Sequence, residues 1–179
     1  MNEYARALRR WRRVRGVKQS HAAEMFGITQ ATLSRWERGQ LPLSEQAVRK
    51  LSRLLCAPLD SAADAGLRQL VESSTLPVHL VCDLSHRLLA ASPARYAEWR
   101  ADAAELRGVS LWRYASEEIQ RAESRLGDLG WYENGAARVS FWTGPNRDPV
   151  VTIQPGILIW DRLLLSDGTL ARLATSLPP

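Results

Sequence analysis

Four side chains in one short stretch carry the donors and acceptors needed to read the edge of a nucleic-acid base. They are Gln30, Thr32, Ser34 and Arg35, within GITQATLSRWERG (27–39). A carboxamide, two hydroxyls and a guanidinium are interspersed there with the bulky apolar Leu33 and Trp36, and a glycine stands at either end. At 3.6 residues per turn the polar and apolar sets fall on different faces of a helix. The stretch is either the exposed face of a recognition helix or an amphipathic helix with well-chosen ends.

Charge favours a polyanionic partner. The chain has 179 residues and a formal net charge of +5. Residues 1–58 hold twelve Lys or Arg against four acids, or +8, and the remainder holds twelve Arg against fifteen acids, or −3. A basic N-terminal third joined to a mildly acidic remainder suggests a polyanion-binding module carrying a separate body, although a solvated basic helix gives the same charge.

The elements that must position these groups are helices. Leu8 and Trp11 mark the apolar face of a first helix ending near Gly16, and Ala22, Ala23, Met25 and Phe26 mark a short second one stopped by Gly27. Thr29 is placed to cap a third over 30–38, closed by Gly39. Ser44 and Glu45 open a fourth with Ala47, Val48, Leu51, Leu54 and Leu55 on its apolar side. The three residues Gly27-Ile28-Thr29 between the second and third force a steep crossing, the helix-turn-helix arrangement. Phe26, Ile28, Leu33 and Trp36 then interlock, which leaves Gln30, Thr32, Ser34 and Arg35 outward.

Residues 8–55 resemble the lambda-repressor/Cro-like helix-turn-helix family, also called the xenobiotic-response-element type. The pattern KQ…A…GIT…LSRWERG carries the resemblance. It implies that Gln30, Thr32 and Arg35 face base edges in the major groove, with Arg35 suited to a guanine and Gln30 to an adenine. Ser34 would reach a base or a phosphate. Lys18, Gln19, Arg38 and Gln40 would contact the phosphate backbone, Gln19 aided by its helix N-terminus. Arg12 and Glu37 occupy the positions of a partly buried structural pair. Ala31 departs from relatives with a polar residue there, and Arg13 and Arg15 make the first helix unusually cationic.

The second half changes period. PVHLVCD (77–83) and RLLAAS (87–92) are predicted to form a hairpin, helical patterns follow at 93–106 and 116–127, and strand-like runs cover 138–144, 149–154, 156–165 and 169–176. Asp167-Gly168 marks a hairpin turn between the last two. The segment CAPLDSAAD (56–64) is a helix breaker, so the expected organisation is 1–57, a linker over 58–63, and a second domain over 64–179. Two strands, two helices, then three or four strands make that domain α+β with an antiparallel sheet.

This order resembles a PAS-type sensor domain. The lead-in LRQLVESSTLPVHLVCDLSHRLLAAS (67–92) and ELRGVSLW (105–112) carry the likeness, while the Asn usual after the second strand is Ser92, and no flavin-type Asn-Cys-Arg motif surrounds Cys82. Such a domain implies a cup between sheet and helices, lined by Trp99, Leu111, Trp112, Phe141, Trp142, Ile159 and Trp160. These aromatics are either core alone or the wall of a small-molecule effector site. Leu67, Leu70 and Val71 share one face of DAGLRQLVES (64–73), which could pair two protomers.

Several chemistries fail on inventory. The only lysines are Lys18 and Lys50, so the second domain has none for a Ser-Lys dyad, a Schiff base or a P-loop. His79, Cys82 and His86 are too few and too close for a four-ligand zinc site. Cys56 and Cys82 make no disulfide framework, and they read as two thiols or a single bridge. No metal, cofactor or enzymatic activity is expected. No apolar run spans a membrane and no secretory leader opens the chain, so a soluble, cytoplasmic, nucleoid-associated protein is expected. The expectation is two domains, an all-α helix-turn-helix domain and then an α+β PAS-like one. Together they would make a homodimeric regulator of transcription, with repression ahead of activation, whose partners are double-stranded DNA, itself and a small-molecule effector. An antitoxin-like or anti-regulator protein, binding a protein partner through its second domain, is the alternative.

Overall fold

The computed structural model describes residues 3–55, 61–132 and 137–177. The chain divides into two compact units, Met1–Cys56 and Ala57–Pro179.

The first unit is four helices: α1 (Glu3–Val14), α2 (Gln19–Phe26), α3 (Gln30–Glu37) and α4 (Glu45–Leu55). Each contributes one apolar face to a common core, in which Leu8, Trp11, Ala22, Ala23, Leu33, Trp36, Leu51 and Leu55 are buried. Small residues on α2 let its backbone come close, and Phe26 meets Trp36 edge-on at 6.0 Å between ring centroids. Gly27 ends α2 with φ of +66°, a left-handed conformation that returns its N–H to Ala23 and Glu24 and turns the chain at once into α3. The α3 N-terminus is capped by Thr29, whose hydroxyl accepts from the Thr32 N–H at 3.2 Å. In the same way Ser44 accepts from Ala47 N–H at the start of α4.

The second unit opens with α5 (Ala62–Glu72), capped by Ser61. The helix thus begins inside the 58–63 stretch expected as a linker, whose residues 58–60 lie outside the described ones. Strands β1 (Val78–Cys82) and β2 (Leu88–Ala91) follow, then α6 (Pro93–Trp99), α7 (Ala103–Leu106), a 3-10 turn (Leu111–Tyr114), α8 (Glu117–Arg125) and strands β3 (Arg138–Thr143), β4 (Gly156–Leu164) and β5 (Leu170–Leu177). All pairings are antiparallel, in the order β2-β1-β5-β4-β3. The last strand therefore lies at the centre. The observed class is an all-α unit with a helix-turn-helix, followed by an α+β unit with an antiparallel sheet.

Side chains alternate across the sheet. One face carries Val78, Leu80 and Ala171 under Val71 of α5, with Leu67 packed against the same cluster. The expectation that Leu67, Leu70 and Val71 together pair two protomers is therefore corrected. Val71 and Leu67 cover their own sheet, and only Leu70, 72% exposed, is left outward. Asp64 fastens the start of α5: its carboxylate accepts from Ser166 N–H at 3.1 Å and Ser166 Oγ at 2.6 Å, and from Ser61 Oγ at 2.7 Å. These bonds hold the Asp64 carboxyl below its ordinary range.

Two further expectations are corrected. Residues 149–154 form no strand, because side chains take the backbone groups that a neighbouring strand would use. Asn146 Nδ2 donates to Val151 O at 2.7 Å while its Oδ1 accepts from Ile153 N–H, and Asp148 Oδ1 accepts from Val150 N–H. The helix expected over 93–106 is divided: Arg100 takes φ of +56° and closes α6, and Asp102 caps α7 afresh.

Candidate functional site

The α3 helix displays its polar residues as its spacing requires. Leu33, Trp36 and Glu37 are buried, while Gln30, Ala31 and Arg35 are exposed and Thr32 and Ser34 half-buried. Thr32 Oγ1 lies 2.9 Å from Thr29 Oγ1, so part of its bonding capacity serves the cap. The Arg35 guanidinium bonds to no other described residue. Lys18, Arg38 and Gln40 are exposed, and Arg38 Nε donates to Ser34 O at 3.2 Å.

Arg12 and Glu37 fix the angle of this surface. Arg12 Nε donates to Glu37 Oε1 at 2.6 Å and Nη2 to Oε2 at 3.0 Å, while Nη1 reaches Val17 O at 3.1 Å. The paired bonds join α1 to the end of α3 and also tie down the turn before α2. Burial opposes charge on Glu37. The bonds from Arg12 and Gln19 and the nearby charges of Arg12 and Arg9 outweigh it, leaving the carboxyl below its ordinary range.

Gln19 is placed differently from its expected phosphate role. Its Nε2 donates to Glu37 Oε2 at 2.9 Å, which turns the amide onto the ion pair. Two residues absent from the expected set join this surface instead. Arg9 and Arg13, exposed one turn apart on α1, border the same hollow as Ser34 and Arg38. Their i, i+4 spacing on either side of Arg12 was the available signal.

In the second unit a cavity of about 90 Å³ lies between the sheet and the helices. Of the aromatics expected there, Trp99, Trp112 and Trp160 line it, as does Leu111. Phe141 and Trp142 do not. Phe141 stacks edge-on behind Trp160 at 4.6 Å, and Trp142, the next residue on β3, points to the opposite face, 52% exposed. Ile159 also faces away, since it is odd-numbered between Leu158 and Trp160 on β4.

The sequence reading missed the polar groups of the wall: His79, His86, Arg95 and Arg172. Arg172 is buried, donating from Nε to Asp83 Oδ1 at 2.8 Å and from Nη1 to Glu123 Oε2 at 2.6 Å, and its guanidinium lies 4.2 Å over the Trp160 ring. Trp131 Nε1 donates to the other Asp83 oxygen at 3.0 Å. Burial opposes the charge on Arg172, and Asp83 and Glu123 more than offset that, so its pKa is raised. Arg95 donates to Glu98 at 2.8 Å and Ser176 Oγ at 2.7 Å, and burial brings its pKa down to about 10. His79, against Trp99 at 5.0 Å, is held well below its ordinary pKa by burial and by the charges of Arg95 and Arg172. Cys82 is a buried thiol whose pKa burial pushes up, and Cys56 lies outside the described residues.

Among the described residues no group of three or more His, Cys, Asp or Glu is placed to hold a metal ion, and no helix is long and apolar enough to cross a membrane. Residues 3–65 match the family described as helix-turn-helix domain. No curated protein matches the chain. Among solved structures the chain is similar to the PAS domain of an HTR-like protein from Haloarcula marismortui, at 19% identity, over 63% of this chain and 88% of that one, with a TM-score of 0.45. It is also similar to the PAS domain of Bordetella pertussis BvgS, at 10% identity, over 64% and 85%, with a TM-score of 0.42. An RNA-binding light-oxygen-voltage receptor is similar over 98% of this chain and 58% of its own length, at 12% identity, with a TM-score of 0.45.

Proposed function

We propose that the helix-turn-helix domain makes this chain a sequence-specific regulator of transcription that binds double-stranded DNA as a homodimer. The observation that carries the reading is the exposed polar face of α3, presented at an angle set by the Arg12–Glu37 pair. Gln30, Thr32, Ser34 and Arg35 contact base edges in the major groove, Arg35 donating two bonds to a guanine. Lys18, Arg38 and Gln40 hold the phosphates, joined by Arg9 and Arg13, with Gln19 secondary because its amide is engaged. One such unit makes too few contacts for high specificity, so two copies over a palindromic operator are required. Occupancy of the operator represses, in the cytoplasm, at the nucleoid.

The second unit supplies the dimer contact and an effector site. Trp142, Ile157 and Leu177 form one cross-sheet row on the outer face and are 52%, 41% and 37% exposed. A row of large apolar side chains open to water is the surface expected of an association site. The same row would suit the protein partner of an antitoxin-like molecule, and a partner co-purifying at equal stoichiometry would favour that second reading.

The test is selection of genomic fragments by the purified protein beside Arg35→Ala, at two salt concentrations. Enrichment of a palindrome with half-sites about one helical turn apart, with the preference at one position of each half-site relaxed in the variant, supports the proposal. Salt-sensitive binding without a motif, unchanged in Arg35→Ala, overturns the base-reading assignment.

A further inference from the structure

We propose that the cavity of the second unit is a receptor for a short-chain monocarboxylate, its carboxylate held at the Arg95–His79–Ser176 corner and its tail against the tryptophans. The inference rests on reading this cavity as an effector site and names the chemistry of the effector.

Three observations converge. The first is the sign of the wall. Two guanidiniums and two imidazoles line the cavity, with Ser176 and Thr143, and among the described residues no carboxylate does, although Glu123 lies 3.3 Å behind His86. The acids that balance the arginines, Glu98, Asp83 and Glu123, are bonded to them but are not part of the wall. A ligand inside therefore meets cations and donors at close range, while their counter-charges stand further off. An anionic or acceptor-rich head is favoured, and a cationic one is repelled.

The second observation locates the head. Arg95 and His79 both pack against Trp99, at 5.5 and 5.0 Å, and Arg95 is bonded to Ser176, so the three polar groups share one corner. Arg95 Nε and His79 Nδ1 are buried there without a hydrogen-bond partner. A buried polar atom without a partner is costly, and a buried charged N–H especially so. A carboxylate oxygen is the acceptor that Arg95 Nε lacks. The depressed pKa of His79 reports the same positive surroundings, because the two arginine charges are among its causes.

The third observation is size. The cavity holds about 90 Å³, less than the roughly 150 Å³ in which benzene has been accommodated and about three water volumes. That space takes a carboxylate with a tail of two or three carbons. The rest of the wall, including Leu111, Trp112, Val151 and Leu158, is apolar and suits such a tail.

The test is titration of the full-length protein with sodium butyrate, its neutral isostere butyramide and the longer octanoate. The readout is fluorescence of the wall tryptophans, with xenon NMR as an independent probe of the space. The proposal expects saturable butyrate binding at least tenfold tighter than butyramide, no binding of octanoate, and a loss of that preference in His79→Leu. Arg95→Met should lose it too. Because Arg95 also has structural bonds, His79→Leu, which replaces one buried ring by an apolar side chain, is the deciding variant. Equal binding of butyrate and butyramide would overturn the carboxylate assignment and leave the effector cavity standing. Tighter octanoate binding would overturn the size argument. If neither small probe nor xenon enters, the effector reading fails with it.

Discussion

Arg172 and Asp83, 89 residues apart in sequence, are bonded at 2.8 Å in the interior of the second unit, where Asp83 also accepts from Trp131. The pair joins the central strand β5 to the end of β1 and the loop after α8. Removing the Asp83 charge leaves the buried Arg172 with Glu123 as its remaining carboxylate partner, so the cost falls at or below the low end for buried pairs, about 3 kcal/mol. Asp83→Asn, which keeps the shape, should lower the unfolding free energy measured in urea by that amount without changing the slope.

The Arg12–Glu37 pair predicts a pH dependence. The folded-state pKa of Glu37 is lowered, so its stabilisation is fully present above the unfolded value of about 4.3 and is lost as pH falls through the folded value. Arg12 keeps 16% of its side chain exposed, which places the cost of Glu37→Gln near the low end for buried pairs, at roughly 3 kcal/mol. Melting curves of wild type and Glu37→Gln should lie far apart at pH 7, begin to approach each other below about pH 4.3, and merge only below the lowered folded value.

Backbone geometry at the α2–α3 turn can be tested separately from packing. A Cβ added at Gly27 meets nothing within 4 Å, so Gly27→Ala reports only the left-handed φ, and should cost about 1–2 kcal/mol. Thr29→Ala removes the cap for about 1 kcal/mol. Equilibrium unfolding of the two variants measures both.

Phosphate-binding and base-reading side chains differ in their response to salt. Arg38→Ala, or Arg13→Ala, should weaken binding to all sequences alike and lower the slope of log K against log salt by about 0.9 for each phosphate left without its cation. Arg35→Ala should reduce discrimination at one base position instead. Filter binding across a salt series separates the two behaviours.

The outer row of the sheet predicts an oligomeric change. Ile157→Arg places a charge between Trp142 and Leu177 without touching the core, since Ile157 is already 41% exposed. Light scattering should show the mass halved and the melting temperature nearly unchanged. A dimeric Ile157→Arg protein would remove this face from the proposed dimer interface.

The helical unit was legible because its signals are local. Thr29, Gly27 and the 3.6-residue rhythm of Leu33 and Trp36 each act within one turn of their own position. The cavity wall was not, because its members meet across the fold. Phe141 and Trp142 are adjacent aromatics, so the sequence does not say which faces inward. Parity on β3 is set by Thr143, buried against Ser116 of the α8 cap 2.9 Å away. Arg172 looks like a surface cation until Asp83 is brought to it, and Arg95 until Ser176 is. The run 149–154 had strand composition, and Asn146 and Asp148 diverted its backbone.

The position of β5 has a consequence for the order of biosynthesis. β5 is the last strand in sequence yet sits between β1 and β4, so β1, paired with β2 on one edge, waits for its other partner about ninety residues downstream. The four-helix unit is a compact unit that ends at Cys56. At ribosomal rates of about 5–20 residues per second, roughly 6–23 seconds separate synthesis of α4 from that of β5. During that interval the nascent chain can already hold a finished helical domain, while the edges of β1 and β2 are open to association with other chains. A truncation before residue 170 should therefore leave an intact helix-turn-helix attached to an aggregation-prone remnant.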